Sequence, residues 1–500
     1  MTFIQHNKGS KKKTRKALAL LALVTGLLPA MVAHATVTLP QVLGHNMVLQ
    51  REKPVPVWGS AAPNEKITVS FRGQRLSTVA GADGQWLVTL SPMKASSKPS
   101  EMVIEGTNSI TLKNILTGEV WLASGQSNME YTMRKNSKIK PVNTPKGFKH
   151  SPVDELDYAD NDQIRVFLAL RKPMEKPHPN HEGWGVAKDS VLRSFSAAGY
   201  FFARKLYSEL KVPIGVIANA IPGSAIEPWL AGRITGMDKA SDSFYFDYSS
   251  PGKFYPSLVR PIANFQIRGF LWYQGETNCF ENDSLQYAYK MKALIDQWRQ
   301  EWGDNSLPFY YVQLAPFIYS ADSGKYPLDQ YTLPKFWEAQ ELVLQLPHTG
   351  MIVGTDLPDN LKNIHPPGKW AIGERLALVA LARTYGKSLE YSGPVYERKV
   401  EKNNKLELYF THTGGGLISK DGQPLNYFEL AGSDGIYYPA TATIKADHLE
   451  LSSPQVSHPT DARFAWIETA QPNFFNKEGL PARPFRTDNP YLRRELNLNN

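Results

Sequence analysis

Val120-Trp121-Leu122-Ala123-Ser124-Gly125-Gln126-Ser127-Asn128-Met129 sets two signals side by side. The first four residues are an unbroken apolar run, the pattern of a strand buried on both faces. The glycine at 125 then lets the chain turn sharply and sets Ser127 at a strand-to-helix corner. A serine becomes a nucleophile when a base and N–H donors converge on it. Alone, a polar turn after a strand is read first as structural. Nor is this a G-x-S-x-G elbow, because Met129 stands where the second glycine would be.

Outward from this run, from Glu119 to about residue 386, strand and helix patterns alternate. Further buried-strand candidates lie at 214–218, 269–273, 309–312 and 351–353, with helix patterns at 195–210, 285–302 and 370–385. That alternation predicts an α/β domain with a parallel sheet covered by helices on both faces. Residues 131–190 are polar and proline-bearing and read as loops. On either side the pattern is β. Short β-rich runs punctuated by Gly59, Pro63, Gly73 and Gly84 come before, with Ala82-Asp83-Gly84 as a hairpin turn. Period-two runs at 406–410 and 449–451 come after. The expected organisation is a β domain at 36–113, an α/β domain at 114–388 and a second β region at 389–490.

Residues 1–35 are set apart from the fold. Lys8, Lys11, Lys12, Lys13, Arg15 and Lys16 precede an apolar run at 17–28 and the small-residue site Ala33-His34-Ala35. This is the pattern of a secretory leader cut after Ala35, which predicts a periplasmic or secreted protein. The run is too short to span a bilayer comfortably. The formal net charge is +9, and those six cations supply most of it. The mature chain is therefore expected to bind neither nucleic acid nor membrane. Cys279 is the only cysteine, which rules out an intramolecular disulfide.

Three more clusters follow predicted strands, where α/β proteins place their sites. Pro222-Gly223-Ser224 offers a glycine N–H unobstructed by a side chain, or an ordinary turn. Gln274-Gly275-Glu276-Thr277-Asn278-Cys279 offers amides and a carboxylate, or a polar loop that caps a helix. Cys279 itself reads as a packed thiol, since no base adjoins it. Asp356, Asp359 and His365-Pro366-Pro367 offer a histidine with carboxylates nearby, although a lone loop histidine is usually only solvated. Each cluster alone is weak. In this order, on successive strands, they describe a serine hydrolase. Trp229 is either a surface for stacking a sugar or a core residue. His178-Pro179-Asn180-His181 could seed a metal site, but no third ligand is apparent, so no metal is expected.

These blocks resemble those of the SGNH hydrolases, and within them the sialate O-acetylesterase family. The similar stretches are 118–130, Leu271-Trp272-Tyr273-Gln274-Gly275-Glu276-Thr277-Asn278, Ile221-Pro222-Gly223-Ser224-Ala225-Ile226-Glu227-Pro228-Trp229, and Ile364-His365-Pro366-Pro367 with Lys369, Gly373 and Arg375. Outside the central region, Met47-Val48-Leu49-Gln50-Arg51 and Gly479-Leu480-Pro481-Ala482 also match. The resemblance implies a flavodoxin-like three-layer α/β/α SGNH hydrolase core with flanking β-sandwich-like regions. It implies hydrolysis of O-acetyl esters of carbohydrates, foremost O-acetylated sialic acid, through an acyl-enzyme. It makes Ser127 the nucleophile and His365 the base. The N–H groups of Ser127 and Gly223 form the oxyanion hole, completed by Asn278 or Gln274. Gln126, Asn128 and Trp229 are expected to touch substrate. No cofactor is expected, because such acyl transfer needs only a nucleophile, a base and N–H donors.

Two positions depart from the family pattern. Lys362 stands where many SGNH enzymes carry Asp, three residues before the histidine, so the orienting carboxylate is Asp359, Asp356, Glu276 or absent. Pro222 stands where glycine is common, which removes one N–H donor. Two other readings stay open: an esterase for acetylated plant polysaccharide such as xylan, and a non-catalytic carbohydrate-binding protein with a degenerate hydrolase core.

Overall fold

The computed structural model describes residues 36–139, 151–169, 183–238 and 243–491. The expected leader and residues 178–181 lie outside them. The strands of the central sheet, numbered in chain order, are β1 (Ser109–Gly125), β2 (Ile164–Leu168), β3 (Trp184–Val186), β4 (Ile214–Ala220), β5 (Gly269–Tyr273), β6 (Phe309–Val312) and β7 (Thr349–Ile352). They lie in the order β7-β6-β5-β1-β4-β2-β3. Neighbours are parallel except at the β2–β3 edge. With β2 and β3 set aside, the order is the flavodoxin-like 2-1-3-4-5, whose switch point lies at β1. The loop after β1 carries Ser127, so the candidate nucleophile sits where this architecture opens a crevice.

The helices used below are α1 (Ser127–Glu130), α2 (Ala197–Leu210), α3 (Glu276–Phe280), α4 (Gln286–Glu301), α5 (Thr332–Leu342) and α6 (Lys369–Arg383). Successive strand residues point to opposite faces, and the core divides accordingly. Trp121, Ala123, Leu271 and Tyr273 pack with α2 and α6. Leu122, Phe270 and Trp272 pack on the other face with Tyr287 and Trp298 of α4 and Phe336 of α5. On that second face Trp229, Trp272 and Trp298 meet edge-on, with ring centroids 5.9, 6.4 and 5.7 Å apart. Such pairs add about 0.5–1.5 kcal/mol each beyond the area they bury.

Strands 269–273 and 309–312 fall where the apolar runs place them, and the other predicted elements of the central domain are shifted by a few residues at most. Three features differ. First, β1 is one strand of 17 residues. Its first half pairs antiparallel with Ser96–Glu105, and Leu116–Gly118 pair parallel with Val48–Gln50. Its last seven residues pair with β4, and five of those with β5. The expected boundary at 113/114 therefore falls inside a strand shared by two sheets. Second, the turn at 81–84 closes with Gly84 N–H donating to Gly81 O at 2.9 Å, but it is not a ladder hairpin. The strand it feeds, Gln85–Leu90, crosses to pair with Val55–Ser60. Third, the stretch expected to be loops contributes β2 to the central sheet, with Arg165 only 1% exposed and its Nε donating to Asp162 O at 2.6 Å. Beyond residue 390 the chain forms antiparallel sheets, as the period-two runs predicted.

Glu119, wholly buried on β1, joins the N-terminal β region to the central sheet. Arg51 donates to its Oε1, and the Nε of Arg268 donates to its Oε2 at 2.7 Å. Burial pushes its carboxyl up, but Arg268 and Arg51 together hold it below the usual range. Glu119→Ala is expected to cost about 3 kcal/mol of unfolding free energy, read from the fall in the denaturant midpoint at unchanged slope. That is the low end for breaking a buried pair, because Arg51 and Arg268 keep 20% and 19% of their side-chain surface in solvent. A depressed carboxyl contributes stability above its unfolded value and loses it as pH falls through the folded value. The deficit of the variant should therefore shrink in acid.

Candidate active site

The turn after β1 is built around Gly125. Its φ is +134°, and a Cβ there would lie 2.2 Å from the carbonyl oxygen of Tyr273, so only glycine fits. Main-chain bonds tie this turn to both neighbouring loops. Gln126 N–H donates to Tyr273 O, and Ile221 N–H donates to Gly125 O, each at 3.0 Å. Ser127 opens α1 half-buried, and its hydroxyl makes no hydrogen bond among the described residues. Across the turn, Gly223 holds φ +71° in an exposed loop, and a Cβ on it would meet nothing within 4 Å. The N–H groups of Ser127 and Gly223 have no hydrogen-bond partner among the described residues.

His365 lies in the loop between β7 and α6, half-buried and followed by two prolines. Its own N–H donates to Asn363 Oδ1 at 3.0 Å. Burial lowers the pKa of its imidazole, Lys369 and Lys135 lower it further, and Glu130 opposes them. The loops bearing Ser127 and His365 meet through their neighbours. Asn128 Nδ2 donates to Ile364 O at 3.0 Å, so the residue after the serine holds the residue before the histidine.

The three candidate carboxylates are placed differently, and among the described residues none hydrogen-bonds the imidazole. Asp356 takes a bidentate pair from Arg375, at 2.7 and 2.8 Å, and a further bond from Lys420 at 3.2 Å. Asp359 is exposed on the same loop. Glu276 is buried at the start of α3, where its Oε1 accepts from Asn128 and its Oε2 has no partner among the described residues. Burial pushes its carboxyl up, against the hydrogen bond from Asn128. The C-terminal β region also grips the histidine loop, through Lys420 and through Gln471 Nε2, which donates to Pro358 O at 2.6 Å.

Other expectations are corrected by burial. Asn278 Oδ1 accepts from Ile226 N–H and Gln274 Nε2, and Asn278 Nδ2 donates to Asp283 and Glu227. Gln274 Nε2 also donates to Ser224 O, and its Oε1 accepts from the Tyr287 hydroxyl. Both side chains are spent bracing the Gly223 loop against α3, which leaves neither free to complete an oxyanion hole. Gln126, Asn128 and Trp229, expected to touch substrate, are 3, 1 and 0% exposed. Gln126 Oε1 accepts from Gly275 N–H at 3.3 Å, and Trp229 donates its indole N–H to Ser224 Oγ at 3.1 Å within the tryptophan cluster. They hold the site together from beneath. Cys279 is a buried free thiol whose pKa burial pushes well up, as a packed residue's should be.

One residue of the histidine block was given no role from sequence. Lys369, at the first position of α6, is 0% exposed. A signal for it was present: Lys369, Ile372, Gly373, Leu376, Ala377 and Ala380 fall at the i, i+3, i+4, i+7 spacing of a buried helix face. A lysine on such a stripe has been taken into the interior.

Comparison with known proteins places the chain in a family. The model of a family described as carbohydrate esterase, sialic acid-specific acetylesterase, matches residues 117–382. A carbohydrate acetylesterase from Xanthomonas citri superposes with a TM-score of 0.78 at 36% identity, covering 91% of this chain and all of that one. Human sialate O-acetylesterase is 30% identical, with 89% of this chain and 91% of the human protein aligned. The mouse enzyme is 28% identical over 71% of this chain and 75% of its own length. On the whole-length match, the family model and the fold together, the chain belongs to the sialic acid-specific acetylesterase family of carbohydrate esterases and is a carboxylic ester hydrolase.

Proposed function

We propose that this carbohydrate acetylesterase removes O-acetyl groups from sialic acid, with Ser127 as nucleophile and His365 as general base. The reading is carried by one observation. A half-buried serine opens a helix at the switch point of the sheet, on a turn bonded through Gly125 to the Gly223 loop and through Asn128 to the histidine loop. On this reading His365 removes the Ser127 proton as Oγ attacks the acetyl carbonyl. The tetrahedral oxyanion then lies against the N–H groups of Ser127 and Gly223. Collapse expels the sugar alkoxide, which takes the proton from His365, and leaves an acetyl-enzyme. Water, deprotonated by the same imidazole, then adds to the acetyl carbonyl, and collapse breaks the bond to Oγ, releasing acetate as His365 returns the proton to Ser127. Pro222 has no N–H to add to the hole. Asp356, Asp359 and Glu276 do not hydrogen-bond the imidazole, so a Ser–His dyad is the simplest arrangement.

The choice of sialic acid rests on the mammalian relatives, which are sialate O-acetylesterases. The basic, apolar and small-residue pattern of residues 1–35 supports export, and with it a substrate outside the cytoplasm. The test is acetate release from 9-O-acetylated sialic acid, beside acetylated xylan and a small chromogenic acetate. Preference for the sialic acid by at least about tenfold in kcat/KM, or about 1.4 kcal/mol, is expected. A preference for xylan would keep the mechanism and move the substrate to plant polysaccharide. No release from any of the three by folded protein would favour a sugar-binding role.

A further inference from the structure

We propose that Lys369 is a positioning residue that staples the catalytic base to the nucleophile turn; this rests on the reading of Ser127 and His365 given above. The Nζ of Lys369 donates to Asn128 Oδ1 at 2.8 Å and to Pro366 O at 2.6 Å. Asn128 directly follows Ser127, and Pro366 directly follows His365. With Asn128 Nδ2 on Ile364 O, the main chain of His365 is held on both sides by one lysine–asparagine pair. Serine hydrolases usually orient the imidazole with a carboxylate on the ring. Here the ring has no such partner among the described residues, and the backbone beneath it is fixed instead.

The setting of Lys369 is costly, which argues that it is kept for a purpose. It is wholly buried, and it lies in the first turn of a 15-residue helix, where the dipole disfavours a cation. Its ammonium sits 4.9 and 5.3 Å from the ring centres of Tyr131 and Tyr273, which favours the charged form. Glu276 is its counter-charge, linked through Asn128, whose amide donates to the carboxylate on one side and accepts from the ammonium on the other. That assigns Glu276 to balancing Lys369, not to the imidazole. Burial, with a smaller push from Lys135, brings the Lys369 pKa down to about 7 against the pull of Glu276. Either protonation state has two protons for its two acceptors, so the staple survives the titration.

The groups that act on His365 are Lys369, Lys135 and Glu130. Removing Lys369 removes a charge that disfavours the imidazolium, so the histidine pKa rises. The test uses Lys369→Met and the charge-balanced pair Lys369→Met with Glu276→Gln, which leaves no lone buried charge if the single variant does not fold. Each is assayed on p-nitrophenyl acetate beside Ser127→Ala and His365→Ala. A loosened base is expected to lower kcat by about a hundredfold with KM little changed. Labelling of Ser127 by a fluorophosphonate should slow in parallel, and the acid limb of kcat/KM should move to higher pH. Loss of packing alone would not move that limb upward. A folded variant with kcat within about threefold of the parent and an unmoved limb would overturn the proposal alone. Full activity in Ser127→Ala or His365→Ala would overturn the site reading on which it rests.

Discussion

Ser127→Ala should yield a folded protein that releases acetate at least about a thousandfold more slowly than the parent. The two halves of that expectation come from different observations. The hydroxyl makes no hydrogen bond among the described residues and sits half-buried at a helix start, so losing it should change stability by no more than about 0.5 kcal/mol. The chemistry has no substitute, because the other nucleophile type nearby, Cys279, is buried with its pKa driven up. Thermal melting and acetate release on the same sample separate the two halves. A variant that melts with the parent and still turns over would remove Ser127 from the mechanism.

His365→Ala is expected to lower kcat by about a hundred- to ten-thousandfold, the range of a lost general base. The parent's pH profile carries the more specific expectation. The base acts when neutral, and burial, Lys369 and Lys135 lower the imidazole pKa against Glu130. The acid limb of kcat/KM should therefore lie below the ordinary histidine value of about 6.5. Two surface-side changes should move it in opposite directions. Lys135→Met removes a cation and raises the limb, while Glu130→Gln removes an anion and lowers it. A limb indifferent to both would mean that a different group titrates.

The apolar strands were legible in sequence because they are uninterrupted: Gly269-Phe270-Leu271-Trp272-Tyr273 and Phe309-Tyr310-Tyr311-Val312 are buried on both sides and read without ambiguity. Ile164-Arg165-Val166-Phe167-Leu168 was hidden by one arginine, which satisfies itself on Asp162 O and nearby asparagines within the fold. The length of β1 is not legible in the sequence, because Lys113, Asn114 and Gly118 interrupt its apolar pattern. Asn114 does adopt φ +58°, yet pairing continues on either side through shifted register. Within the site, Ser127, Gly223 and His365 could be named because glycine and proline mark their turns. What the buried amides do could not, since Gln274 and Asn278 have donors and acceptors alike and only the fold shows where they are spent. Lys369 is visible in the histidine block, but its burial is not, because a charge in the first turn of a helix is ordinarily solvated.

The shared strand β1 also bears on how this chain can be cut or recombined. A seam for removing the N-terminal β region would have to pass through a single backbone whose far end is the Ser127 turn. Trimming it away would strip the leading half of that strand of its partners and unpin Glu119 from Arg51. The β region is therefore continuous with the strand that leads to the Ser127 turn, and a cut between them would leave bare strand edge on the side that carries the turn.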